Sequence, residues 1–194
     1  MIAECRGIEK LLPDLTQIAK TLIYHARDNE HKGEVGIFAV VPTQIAKQFP
    51  IEGRQKEDSS PTHITILQLG SIVPVLEKKL LQVVNEVCEA TKPFVVSLKR
   101  PRRFVNDKGQ IILHSPVKSG RLVKFHDNLR TALLNAGIQV DNKFPIFKPH
   151  VSIAYCNNKK ELKYYRQFRP EGEWIVNSIW IWSTRQPHLV FLGK

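Results

Sequence analysis

The chain is 194 residues long, 42% of them hydrophobic, with 29 lysines and arginines against 18 aspartates and glutamates, a formal net charge of +11. That length and apolar content suit a globular protein with a core of useful size and argue against disorder overall. No apolar run of about 18 residues marks a membrane helix, residues 1–7 lack a basic-then-apolar secretion signal, and Cys5, Cys88 and Cys156 are too scattered for a disulfide framework or zinc knuckle, so a cytoplasmic protein with reduced, structural thiols is expected.

Taken in chain order, residues 8–28 carry Leu11, Leu12, Leu15, Ile18, Ala19, Leu22 and Ile23 at helical spacing. This predicts a helical N-terminal segment, residues 1–32, packed on a single main domain, residues 33–194. An apolar strand is expected at 35–41, followed by Pro42 and a short amphipathic stretch to Pro50. A strand follows at 63–69 and a helix at 74–90, with Pro74 suited to its first turn. Residues 93–98 and 110–114 read as strands separated by a basic loop and a turn at 106–109, and 119–136 reads as a helix ended by Gly137. Then come a strand at 150–155, a short helix within 158–168, and strands at 174–183 and 188–192, joined by a turn at Gln186 and Pro187. No short-period repeat or linker divides the chain.

Charge is unevenly spread. Residues 1–97 hold 11 Lys/Arg against 12 Asp/Glu, whereas residues 98–194 hold 18 against 6. A concentrated positive field attracts and steers polyanions, so RNA, an oligonucleotide or a cyclic nucleotide is the expected partner. The other reading is a solubilising basic surface. In the run Lys99, Arg100, Pro101, Arg102, Arg103, Phe104, cations beside an aromatic ring supply phosphate contact and base stacking together. Lys159, Lys160, Lys163, Arg166 and Arg169 could extend such a track.

Two strand segments carry the chemistry: His63-Ile64-Thr65-Ile66 and His150-Val151-Ser152-Ile153, each preceded by a short loop containing proline. Side chains alternate along a strand, so each histidine shares a face with a hydroxyl two residues on while the isoleucines and Val151 face a core. One such tetrapeptide is weak evidence, because a strand histidine is more often structural than catalytic; two copies are not. His25, His31, His114, His126 and His188 lack a Thr or Ser two residues on and read as structural or surface residues.

The paired motifs resemble the His-x-Thr/Ser signatures of the two-histidine phosphoesterases, the superfamily of RNA-ligase-like proteins and cyclic phosphodiesterases, and the layout from Val40-Val41-Pro42 to His63-Ile64-Thr65-Ile66-Leu67-Gln68-Leu69-Gly70 is most similar to its small phage and bacterial branch. The resemblance implies a bilobal α+β fold in which antiparallel sheets from both lobes line a central cleft with flanking helices. It implies no cofactor and no metal ligands. The chain departs from the bacterial branch at Tyr155, five residues after the second histidine, where a basic residue is common. Strand parity places Tyr155 on the face opposite His150, as a packing aromatic or a substrate contact, and Gln68 at the matching position is oddly polar for a core-facing site.

In-line cleavage of a phosphodiester needs one group to take a proton from the nucleophile and another to protonate the leaving oxygen. Two imidazoles, titrating near neutrality, can supply both, and such transfer contributes roughly 10²–10⁴-fold. Thr65 and Ser152 could donate to the non-bridging oxygens. The expected catalytic set is therefore His63, Thr65, His150 and Ser152, with Tyr155, Arg102, Arg103 and Phe104 as substrate contacts. The function expected is metal-independent hydrolysis of a 2′,3′-cyclic phosphate, a 2′–5′ linkage or a cyclic oligonucleotide. The competing class is a module that binds RNA ends or nucleotides without turning them over. No lysine motif for nucleotidyl transfer or phosphate-cradling glycine loop supports ATP-driven ligation.

Overall fold

The computed structural model describes residues 34–50, 61–72, 74–106, 109–141, 146–182 and 187–193. The expected helix at 8–28 and the turn residue Gln186 lie outside them. Within the described residues, nine strands and four helices follow in order: β1 (Glu34–Val40), α1 (Thr43–Ala46), β2 (His63–Ser71), α2 (Pro74–Glu89), β3 (Phe94–Leu98), β4 (Arg102–Val105), β5 (Ile111–Lys118), α3 (Gly120–Asn135), β6 (His150–Cys156), α4 (Lys159–Tyr165), β7 (Glu173–Val176), β8 (Ser178–Trp182) and β9 (His188–Phe191).

The strands form two antiparallel sheets. The first runs β2-β1-β8-β9; in the second, β6 pairs with one edge of β5 while β4 and β3 pair with successive stretches of its other edge, and β7 follows β3. Each histidine strand is thus the outer member of its sheet among the described residues, and β2 and β6 lie against one another. This brings both motifs to one place.

Two expectations need correction. The basic loop is half strand, because Arg102–Val105 alternates and pairs with Ile111–His114 around the tight turn that ends at Gly109, whose φ is +76°. The single strand expected at 174–183 is two, β7 in the second sheet and β8 in the first, with Asn177 as the crossing point and its carbonyl held by Leu192 N–H at 2.8 Å. Large apolar side chains on both sides of Asn177-Ser178 hide such a switch, since a buried strand looks alike in either sheet.

One apolar core lies behind both sheets. It joins Ile37 and Ile64 of the first sheet, Phe94, Val96 and Ile153 of the second, Leu80 and Val84 of α2, and Phe125 and Leu129 of α3. α3 places Leu122, Phe125, Leu129 and Leu133 inward at helical spacing, starts where the Ser119 hydroxyl accepts from Leu122 N–H at 3.3 Å, and stops at Gly137, whose φ of +77° a side chain would strain. α4 adds Leu162 to the same core, so its lysines sit on the helix side of the sheets and not on the face that bears the histidines. Leu129→Ala should lower the unfolding free energy by about 2–5 kcal/mol in urea at unchanged slope. A loss under about 0.5 kcal/mol would show that this helix does not anchor the core.

Candidate active site

Each histidine strand contains a bulge at the same place. In β2, Thr65 pairs with Phe38 and Leu67 with Ile37, skipping Ile66; in β6, Ser152 pairs with His114 and Ala154 with Leu113, skipping Ile153. Two consecutive residues, Ile66-Leu67 or Ile153-Ala154, therefore turn into the core, where all four are buried. The phase of the alternation then reverses. Gln68 pairs with Gly36 and Tyr155 with Ile112, so both come to the histidine face, half-buried, while Leu69 and Cys156 go inward.

This corrects the parity that strict alternation predicts for Tyr155 and removes the oddity of Gln68. One face of β2 carries His63, Thr65 and Gln68; the equivalent face of β6 carries His150, Ser152 and Tyr155.

The imidazoles are held alike. His63 Nδ1 lies 2.8 Å from the carbonyl oxygen of Pro61, and His150 Nδ1 lies 2.9 Å from that of Lys148. A carbonyl only accepts, so Nδ1 carries the proton of each neutral ring and Nε2 is its basic nitrogen. Aromatic neighbours fix the ring planes. Phe38 stands edge-on to His63 with centroids 4.6 Å apart, and Phe104 edge-on to His150 at 5.6 Å. Phe38 leans across Gly36, where the absence of a side chain leaves room for its ring.

The other expected contacts divide. Arg102 pairs with His114 and Phe104 with Ile112, on the histidine face, whereas Arg103 pairs with core-facing Leu113 and projects from the other side of β4. Along the same face past His150, an open groove of about 470 Å³ is lined by Val95, Ser97, Lys99, Lys118, Ser119 and Arg121, among others. Lys118 follows Pro116, the partner of His150, by two residues, and Lys99 N–H donates to the Pro116 carbonyl at 2.8 Å. The first sheet differs: Trp180 pairs with Phe38 and Trp182 with Gly36, giving that face an apolar cluster of Val40, Trp180, Trp182 and Leu189.

His114, expected from the sequence to be structural or surface, belongs to this site. Its ring lies 5.1 Å from that of His150 and 5.0 Å from that of Phe104. Nothing local in the sequence announces this, because cross-strand register creates it. Burial, reinforced by positive charge from His150 and Arg102 and opposed by the Ile112 backbone, pushes its pKa down to about 4 from 6.5. The buried thiols are unreactive by the same physics: burial pushes Cys88 up to about 12 and raises Cys156.

The His114 shift has a stability consequence. The folded state binds this proton more weakly than the unfolded chain, so the group's contribution is intact above about pH 6.5 and is lost as pH falls toward about 4. The thermal midpoint of the wild type should therefore fall more steeply than that of His114→Phe across this window. Parallel curves would contradict a neutral buried imidazole.

The chain is similar to known proteins in sequence and in fold. A sequence profile of the 2′-5′ RNA ligase superfamily matches residues 43–188. The RNA 2′,3′-cyclic phosphodiesterase of Bacillus subtilis strain 168 is 29% identical over 113 residues, which cover 57% of this chain and 61% of the relative, so the match spans about three fifths of that protein. Among solved structures, TT0787 of Thermus thermophilus has a TM-score of 0.59 at 16% identity, covering 82% of this chain and 94% of its own. Escherichia coli LigT in complex with 3′-AMP gives 0.57 at 15% identity over 82% and 95%. Usb1 of Kluyveromyces marxianus gives 0.56 at 11% identity over 83% and 99%. These structural likenesses speak for the fold. With the profile spanning both histidine motifs and two antiparallel sheets carrying them, the chain belongs to the 2′-5′ RNA ligase superfamily of two-histidine phosphoesterases.

Proposed function

We propose that the protein is a phosphodiesterase that opens the 2′,3′-cyclic phosphate at an RNA 3′ end without a metal ion. The carrying observation is the duplication of one proton-transfer unit, an imidazole with Nδ1 donated to a backbone carbonyl and a hydroxyl beside it, on two neighbouring edge strands.

In this reading the phosphate sits between His63 and His150. One Nε2 accepts a proton from water as its oxygen attacks phosphorus; the other, protonated, gives its proton to the departing ribose oxygen. The products are one ribose hydroxyl and one phosphomonoester. Thr65 and Ser152 donate to the non-bridging oxygens, where their hydrogen bonds strengthen as charge builds. Tyr155, Arg102 and Phe104 border the reacting nucleotide, and Arg103, on the other side of β4, meets only RNA that continues beyond the cleft.

The surroundings favour a polynucleotide over a free cyclic nucleotide. Lys118 stands about two strand residues, roughly 7 Å, past the partner of His150, so a chain threaded through the reacting phosphate would lay its backbone along Lys99, Lys118 and Arg121. Trp182, half-buried on the facing sheet, offers a ring to a base. The name of the Bacillus relative agrees with this substrate.

Product analysis in EDTA should settle the reaction. Cyclic mononucleotides, a 2′–5′ oligoadenylate, cyclic di- and trinucleotides and RNA with a cyclic phosphate end would each be incubated with wild type and His63→Ala. We expect the RNA end to be opened, with a loss of about 10²-fold or more in the variant. Intact substrates throughout, with RNA still bound, would favour a binding module, and activity only with added divalent metal would sink the two-imidazole mechanism.

Removing groove cations separates polymer from monomer. Lys118→Ala with Arg121→Ala should raise KM for the RNA end several-fold and flatten its dependence on salt, while a cyclic mononucleotide is hardly affected. Equal effects on both substrates would place the groove outside the RNA path.

A further inference from the structure

The strand pairs β1–β2 and β5–β6 agree from the histidine through the bulge that follows it, but the aromatic neighbour of each histidine differs. Opposite Thr65 stands Phe38; opposite Ser152 stands His114. A hydrocarbon ring in one lobe is an imidazole in the other. His63 has the Phe38 ring at 4.6 Å, whereas His150 has His114 at 5.1 Å and Phe104 at 5.6 Å, and these two rings touch each other at 5.0 Å.

Packing alone does not call for that imidazole. His114 Nδ1 is buried and its contact with the Ile112 backbone is not a well-formed hydrogen bond, a desolvation cost that a phenyl ring of similar shape would avoid. The residue also occupies the middle of a cross-strand row, Arg102 on β4, His114 on β5 and Ser152 on β6, all on the face that carries His150. In such a row opposite residues stand about 4.5–5.5 Å apart, so His114 lies directly beside Ser152 as well as against the His150 ring.

We propose that His114 is a positioning residue of the acid–base pair: its uncharged ring, backed by Phe104, fixes the plane of the His150 imidazole beside Ser152 and turns a dipole toward the charge that imidazole carries during turnover. Phe38 fixes the plane of His63 but has no such dipole, so the two halves of the cleft are not interchangeable. The neutral state is secured by burial and by the positive groups facing His114, Arg102 from β4 and His150 from β6. A second charge there would repel His150 when protonated; a neutral ring does not.

The rate consequence rests on the phosphodiesterase reading; the geometry does not. On the substrate that wild type cleaves, His114→Phe should lower kcat about tenfold or more with KM within about threefold, while the thermal midpoint at neutral pH stays or rises, and His114→Gln should recover part of the rate. A merely structural histidine would instead give wild-type kcat with the raised midpoint, and that result overturns the proposal. Should His114→Phe fail to fold by circular dichroism, His114→Leu carries the same expectations. If wild type turns over nothing, the phosphodiesterase reading fails by itself, and imidazole NMR still decides this one. The His150 resonance, identified by its absence in His150→Ala, should titrate lower by about half a pH unit or more in His114→Phe, because a phenyl solvates an imidazolium less well. An unmoved midpoint overturns the proposal.

Discussion

Core and cleft are fitted to each other by one local departure from regular strand geometry, the bulge that follows each His-x-Thr/Ser motif. An unbroken β2 would bury the Gln68 amide beside Ile64 and Ile66, and an unbroken β6 would bury the Tyr155 hydroxyl; an unpaired polar group of that kind costs on the order of 1–3 kcal/mol in a protein interior. By turning two consecutive apolar residues inward, Ile66-Leu67 and Ile153-Ala154, each bulge keeps the core filled and sends the next side chain to the histidine face. The core and the site are therefore satisfied by one feature. Bulges also sharpen twist and disturb edge pairing, which suits strands that lie at the outside of their sheets and against each other.

Around this common frame the two lobes have diverged in what they offer a ligand. The first sheet presents Phe38, Trp180 and Trp182 beside His63; the second presents Arg102, His114 and, past His150, the cations of the groove. Stacking surface on one side and phosphate contact on the other is the division of labour that a single-stranded polyanion rewards. The excess of positive charge in the second half of the sequence falls on that side, though in residues only partly those that a linear reading favours. Lys99 and Arg102 reach the histidine face, Arg103 alternates away from it, and the lysines of α4 belong to the far side of the sheet.

The histidine motifs were readable from the sequence because their chemistry is local: a histidine and a hydroxyl two apart share a face whatever the tertiary structure. The helices α2 and α3 were readable because apolar spacing and a stop at Gly137 need no partner to interpret. The bulges were not, yet their trace is present. In β2 an apolar pair, Ile66-Leu67, is followed by an isolated polar Gln68, and in β6 the pair Ile153-Ala154 is followed by Tyr155, which is how a phase change looks when alternation is assumed to continue. His114 left no trace, since its importance comes from pairing with a strand nearly 40 residues away. The division of 174–183 at Asn177 was hidden for a related reason: tryptophan and isoleucine on both sides are equally at home in either sheet.

Whether both histidines act as one unit on one phosphate is tested most directly by a cycle of His63→Ala, His150→Ala and the double variant, through kcat/KM on whichever ester the wild type cleaves. If the two imidazoles share a transition state, either single substitution removes nearly all the rate enhancement and the double variant is little worse than the singles. Losses that multiply, or a single variant that keeps substantial activity, would mean that the histidines serve separate sites or that one of them takes no part in the chemistry.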